Sequence, residues 1–420
     1  MPILRNPIPG QSPPSQPPLP AGSDHYAAPL LQLGRALLAL GMPAHRVEGA
    51  LGVMAARLGL SAQFYSTPTA LFIALGEGRE QHTYLARVAP GGADLGKIAE
   101  ITEIMEQLAD RRLEPEQATR RVQEIYLSPP RYGRLATFIG FPLVAVPATV
   151  LLGGHLKEIV LGTVLSAVVG LLAIGTAGRA AERIFIPLSA MLVALGAGWG
   201  AVLAGDIAFA PALLGGLIVL LPGLDITTAT RELATGHLVS GGARLAGAGL
   251  VLLMLVFGLA LGKALASWIA GPPPVVSPPA VPWWILPPLI LLAASGFLLL
   301  FRIRRRQWVW VAISCLVAWS SALVTGDILG RPLGAFSGAL LVGLAGNAYA
   351  NRSGQPSSIL HIPGLMLLVP GSIGLRGMAA LLDADVASGV EGVFFALLTA
   401  VAMTTGLLLA SVLLPPRQEL

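Results

Sequence analysis

The polar residues best placed to do chemistry in this chain follow two Pro-Gly pairs. Pro222-Gly223 is followed by Asp225, Thr227, Thr228, Thr230 and Arg231, and Pro370-Gly371 by Ser372 and Arg376. A carboxylate can hold an ammonium or carry a proton, a hydroxyl can contact the polar atoms of a small ligand, and a guanidinium can pair with a carboxylate. Pro removes a backbone donor and Gly permits angles that end a helix, so each pair frees backbone groups beside these side chains. N–H groups at a helix start favour an anion. Such a set can meet both charges of a zwitterion. A plainer reading stands beside it. Asp and Thr are favoured helix N-caps, a Pro-Gly pair can simply close a short helix at an interface, and Arg231 and Arg244 read first as interfacial anchors.

Other polar residues are spread more thinly. Asp206 and Asp327 fall at the edges of apolar runs, Asn347 lies inside one, and His361 stands two residues before Pro363-Gly364. A charge at the centre of a bilayer costs roughly 2.5–3.5 kcal/mol on insertion scales, so a residue held there must face the interior. Asp225, Asp327 and His361 are the candidates for carrying a proton. His155 and His237 fall in loops and read as solvated. Arg46-Val47-Glu48 reads as an ion pair within a helix or between packed domains. Ser61, Ser66, His45 and His82 lack a nucleophile elbow. No metal-ligand spacing, Walker loop or GxGxxG is found, so no cofactor is expected, no catalytic residue or metal site is assigned, and the chain is not read as an enzyme.

The chain that must position these residues has 420 residues, of which 54% are hydrophobic and 12% charged. A soluble globular protein carries about 25% charged residues. The single cysteine, Cys315, excludes an intramolecular disulfide. The net charge of +5 does not point to nucleic acid, because the basic residues lie in short loops and in the first third of the chain. Residues 1–24 are read as a disordered Pro-rich lead-in, and 25–130 as a soluble cytoplasmic α+β domain. In that domain Asp94 is expected to cap a helix, and a hairpin is expected at Gly76-Glu77-Gly78. From there ten apolar segments follow, at roughly 135–152, 158–176, 184–204, 207–224, 245–270, 283–301, 308–325, 332–350, 359–377 and 392–414. Most approach the roughly 20 residues needed to span a bilayer. The stretch 272–282 holds six prolines and reads as a stiff linker between a membrane repeat at 131–271 and another at 283–415. With the N-terminus inside, twelve arginines fall at cytoplasmic ends against four basic residues outside, Lys157, Lys263, Arg331 and Arg376. This favours both termini in the cytoplasm.

The two halves share a phrase. GLIVLLPG at 216–223 recurs as GLMLLVPG at 364–371, 148 positions later, with five of eight positions identical. Ser240-Gly241 and Ser388-Gly389 follow at the same offset. Five spans per half is odd, so a duplicated unit would cross the membrane in the opposite sense, as inverted repeats of transporters do. The apolar runs before the two prolines, 209–221 and 359–369, are too short to span alone. Each reads as a half-helix, a break and a polar continuation. Short Pro/Gly-interrupted segments at matching places in two halves point to a binding site. On this reading substrate is held by Pro222, Gly223, Asp225, Thr227, Thr228, Pro370, Gly371 and Ser372.

The chain resembles the threonine/serine exporter family of bacterial membrane transporters. The resemblance rests on GMPAHRVEGALGVMAARLGLSAQFYSTPTALFIAL (41–75), LLPGLDITTATRELATGHLVSGGARL (220–245), GRPLGAFSGALLVGLAGNAYA (330–350) and LVPG (368–371). It covers most of residues 25–414, and the Pro-rich start falls outside it. It implies a cytoplasmic N-terminal domain, ten spans in two halves fused in one chain, and a multi-pass protein of the bacterial inner membrane. It also implies a secondary transporter that exports small neutral amino acids by proton antiport. The implied partners are an amino-acid substrate, protons and the lipid bilayer, with no nucleic acid; a homo-oligomer is compatible with it. The alternatives are a channel-like pore of the same topology and a membrane-embedded hydrolase using the N-terminal domain.

Overall fold

The computed structural model describes residues 23–78, 81–271, 282–368 and 370–416. The lead-in at 1–22, most of the Pro-rich stretch and Arg417 lie outside them. The chain begins with two helices, α1 (Ala27–Ala39) and α2 (Ala44–Leu58). Three strands follow, β1 (Ala62–Thr67), β2 (Ala70–Leu75) and β3 (His82–Arg87), and then α3 (Leu95–Ala109) and α4 (Pro115–Leu127). The strands form an antiparallel sheet in the order β1-β2-β3. Alternation sets its faces: Leu71, Ile73 and Leu75 are buried, while Tyr65, Phe72 and Leu85 pair across the outer face. The β2–β3 pairing is the hairpin expected around Gly76. Asp94 caps α3 as expected, accepting the N–H of Lys97 at 3.0 Å.

The remaining helices are long and apolar. They are α5 (Arg134–Leu151), α6 (Leu156–Thr176), α7 (Phe185–Ala204), α8 (Phe209–Leu217), α9 (Gly223–Ala234) and α10 (Leu238–Ala270). After the Pro-rich stretch come α11 (Leu286–Leu300), α12 (Trp308–Leu329), α13 (Arg331–Ser353), α14 (Ser358–Leu368), α15 (Gly371–Leu382) and α16 (Val386–Leu413). Among the described residues eight helical stretches are long and apolar enough to cross a membrane, and the broken pair α8–α9 makes a ninth. The segment expected at 283–301 is the exception. Its helix, α11, has only 15 residues, short of a full span.

Contacts within the two sets of helices correspond. α7 packs along α10 as α13 packs along α16, and α6 meets α8 as α12 meets α14. Small residues set the closest approaches. A Cβ on Gly258 would meet Pro187 and Ala190, and one on Gly406 would meet Phe336 and Ala339. Gly216 fits between Leu165 and Val193, and Gly364 between Ser314 and Val342. Gly241 lies against Leu233, and Gly389 against Leu381. Glycine lets neighbouring helices close to backbone contact, which is how helices associate where no water drives them together.

One face of this bundle carries the α/β region. The loop after α11 is anchored there by a buried pair, Arg302 Nη1 to Asp94 Oδ2 at 3.1 Å, and by Arg304 to Glu103 at 2.9 Å. Leu95 N–H donates to Phe301 O at 3.0 Å. α10 starts on this face at His237, which lies 3.3 Å from Glu48. Lys263 comes 26 residues further along, about 39 Å away at 1.5 Å per residue, and pairs with Asp383 at 2.8 Å.

Candidate functional site

Between the α/β region and the bundle lies a cavity of about 400 Å³. Its roof is the α1–α2 corner with His45 and Arg46, together with Pro68 and the loop at 90–93. Its walls are α9, α10 and α14, with Glu182 and Ile186 around the start of α7 and Leu407 from α16. The break at Pro222-Gly223 makes this arrangement. α8 and α9 meet there at 55°, which turns α9 out of line and brings its polar face to the cavity. Leu224, Val251, Leu365 and Leu407 supply apolar wall.

Four of the expected site residues line the cavity: Asp225, Thr227, Thr228 and His361. Pro222 is the N-cap residue of α9 and Gly223 its first residue. Asp225 is not the helix cap that the plainer reading allowed; it lies in the first turn and pairs with Arg244 at 3.6 Å. Thr227 donates back to Gly223 O at 3.0 Å, and its own carbonyl accepts from Thr404 at 3.4 Å. His361 is buried, with Nε2 3.3 Å from Gly343 O; a Cβ on Gly346 would meet its ring at 2.3 Å, so only glycine leaves that space.

The other expected residues lie elsewhere. Pro370 and Gly371 begin α15, and Ser372 accepts at its carbonyl from Arg376 Nε at 3.3 Å. None of the three lines the cavity. Asp327 is exposed near the end of α12. Asp206 pairs with Lys157. Asn347 donates to Leu414 O at 2.9 Å, closing the end of α16.

Several residues matter more than the sequence suggested. Arg231 and Arg244, read first as anchors, line the cavity, as does Arg46. Arg46 donates to Ser357 Oγ at 2.7 Å, across 311 positions, and Glu48 accepts from Ser66 N–H at 2.6 Å. The Arg46-Val47-Glu48 triplet therefore ties the α/β region to the bundle, the packing alternative of its two readings. His237 is no solvated loop residue but the partner of Glu48. Glu232 is fully buried and accepts the Ala44 N–H at 2.9 Å. Near it, neither ring nitrogen of His45 finds a hydrogen-bond partner among the described residues. Burial, with Arg231 next in weight, pushes the His45 imidazole down to about 2, so it is neutral at ordinary pH. Its ring lies 5.9 Å from that of His237. In the sheet, Ser66 Oγ donates to Glu48 at 2.8 Å and Ser61 Oγ to Glu77 at 2.9 Å.

Two family models match the chain. One described as a threonine/serine exporter covers residues 29–266, and a second, Threonine/Serine exporter ThrE, covers 288–413. An uncharacterized protein of Schizosaccharomyces pombe is 26% identical over 378 residues, which is 86% of this chain and 48% of that protein. Pheromone-regulated membrane protein 10 of Candida albicans is 26% identical over 82% of this chain and 32% of its own length. Its namesake in Eremothecium gossypii is 26% identical, over 82% and 48%. The chain thus spans less than half the length of these relatives. No solved structure matches.

Proposed function

The chain belongs to the threonine/serine exporter family, with both parts of the family pattern fused in one multi-pass membrane polypeptide, and from that premise we propose that it is a secondary transporter exporting small neutral amino acids of the threonine/serine type. The observation that carries this is the charge pattern of one cavity. Asp225 stands on its wall with Arg46, Arg231 and Arg244 nearby, and Thr228 adds a hydroxyl. Small-molecule sites run from about 300 to 1,000 Å³ and pair apolar walls with a few convergent polar groups. In this reading the substrate ammonium meets Asp225, its carboxylate meets the arginines, and its short side chain meets Leu224 and Val251.

The two five-helix sets act as inverted repeats. Three observations support this: the corresponding contacts at Gly258 and Gly406, the shared Pro-Gly phrase, and the opposite directions of α9 and α15. α9 leads to the α/β face through Glu232 and His237, whereas α15 leads to Asp383, the partner of Lys263. The α/β face is cytoplasmic, which keeps the arginine-rich loops inside, and the bacterial inner membrane is the compartment proposed. The proton-motive force drives export, with Asp225 the first candidate for the proton because it combines a carboxylate on the cavity wall with a guanidinium partner in Arg244. His361 comes second and the exposed Asp327 third. Counterflow in proteoliposomes tests the reading: labelled serine and threonine should show saturable exchange that responds to a pH gradient. Saturable exchange of no neutral amino acid would end it, and flux that never saturates would favour a pore.

A further inference from the structure

Glu232 does not line the cavity, yet it touches what does. One carboxylate oxygen accepts the N–H of Ala44, the first residue of α2, at 2.9 Å. The other accepts Ser240 Oγ at 3.0 Å and Arg244 Nε at 3.2 Å. Nη1 of the same guanidinium lies 3.6 Å from Asp225 Oδ1. One arginine is therefore divided between a carboxylate with no exposed surface and one on the cavity wall. The corresponding positions of the second helix set, 148 later, are Ala380 for Glu232, Ile373 for Asp225 and Gly392 for Arg244. The second set therefore lacks these ionisable residues at the matching positions.

Resting on the export reading above, we propose that Glu232 is a positioning residue for the substrate. It holds Arg244 partly off Asp225, so that an incoming ammonium can replace the guanidinium there, and it seats the start of α2 above the same cavity. Two like-charged carboxylates compete for one arginine, and neither can hold it as tightly as it could alone. Remove the charge on Glu232 and Arg244 closes onto Asp225, so the substrate must break a full ion pair to bind. The effect falls on affinity, not on turnover, because the pair is broken before transport begins. The α/β region, by donating Ala44 N–H to the same carboxylate, completes the binding site.

Glu232→Gln separates this role from packing, because its amide oxygen still accepts Ala44 N–H while its amide NH2, in the place of the other oxygen, donates to Ser240 Oγ. Counterflow of labelled serine by the full chain in proteoliposomes should show KM raised about tenfold with maximal rate within twofold. In an Arg244→Gln background the same change should add nothing to KM. If E232Q does not insert as a monodisperse protein, Glu232→Asp replaces it; the shorter acid withdraws from Arg244, and KM should rise about threefold, again only when Arg244 is present. An unchanged KM, or an equal rise with and without Arg244, overturns the proposal while wild-type exchange leaves the export reading standing. Wild-type protein that exchanges no amino acid removes both.

Discussion

The two Pro-Gly breaks share a sequence and differ in what surrounds them. At Pro222-Gly223 the chain turns by 55°, and the helix beyond carries Asp225, Arg231 and Glu232. At Pro370-Gly371 the helices on either side pass together as one apolar span, Ser358–Leu381. The residues at the corresponding places there are Ile373, Ala379 and Ala380. The packing of the helix that follows differs too. A Cβ on Gly392 would lie 2.6 Å from Gly377 Cα, so α15 and α16 touch backbone to backbone. At the corresponding place in the first set, α9 carries Ala229 and α10 carries Arg244, beside a cavity. The difference separates scaffold from chemistry. Small residues that set helix spacing recur in both sets, whereas the cluster of carboxylates and arginines stands at the break that the α/β region covers.

The largest effect expected from this contrast is on transport. Asp225→Asn should lower export at least about a hundredfold, a change of about 2.7 kcal/mol at 1.36 per decade, with insertion unchanged. Ser372→Ala, at the matching break, should stay within twofold. Pro222→Ala with Gly223→Ala should straighten the α8–α9 bend and abolish export, and Pro370→Ala with Gly371→Ala should cost less. Export is measured per membrane-inserted molecule. Equal losses at the two breaks would mean that both hold substrate, and the contrast would fail.

Local signals were legible in the sequence and long-range ones were not. The Pro-Gly breaks, the Asp94 cap, the hairpin at Gly76 and most apolar segments follow from periodicity and backbone restriction within a few residues. The short α11 was overestimated because flanking apolar residues extend the run beyond the helix. Asp225, Thr227, Thr228 and His361, which line the cavity, stand out in the sequence because polar residues near a broken apolar helix are conspicuous. That His361 shares a cavity with Asp225 could not be read, since the two are brought together by α14 packing on α9. Arg231 and Arg244 read first as interfacial anchors, and no local pattern marks Glu232. Only the docking of Ala44 and His45 gathers them under the α/β region, and no local pattern encodes which surface covers a helix 188 positions away.

A smaller effect, on stability, checks the scaffold side. Gly392→Ala places a methyl where Gly377 Cα already stands, and overpacking of this kind costs about 1–3 kcal/mol. The thermal midpoint of the purified protein should fall. Ala229→Gly, at the place matching Gly377, opens space and should cost no more than about 1 kcal/mol, the usual penalty for glycine in a helix. A Gly392→Ala protein as stable as wild type would show that α15 and α16 can part at no cost, and the close crossing would not distinguish the two sets.

The smallest effect concerns pH and comes from the roof of the cavity. His45 is held neutral by burial and by Arg231, then by Arg46, His237 and Arg244; the carboxylates of α2 and α9, Glu48, Asp225 and Glu232, are engaged by His237, by Arg244, and by Arg244 with Ala44 N–H. Folded, the imidazole takes a proton only near pH 2, whereas unfolded it does so near its ordinary value of about 6.5. The unfolded form therefore binds the extra proton first as pH falls. Stability is complete above about pH 6.5 and declines below it, by up to about 1.4 kcal/mol per pH unit from this group. His45→Gln, which cannot titrate, should remove that part of the slope. Between pH 6.5 and 5.5 the wild-type midpoint should drop more than that of His45→Gln, by the equivalent of about 1 kcal/mol, and the two should run parallel above pH 7.5. Parallel curves throughout would mean that solvent reaches the imidazole and that the α/β region does not seal the cavity on the side of the first break.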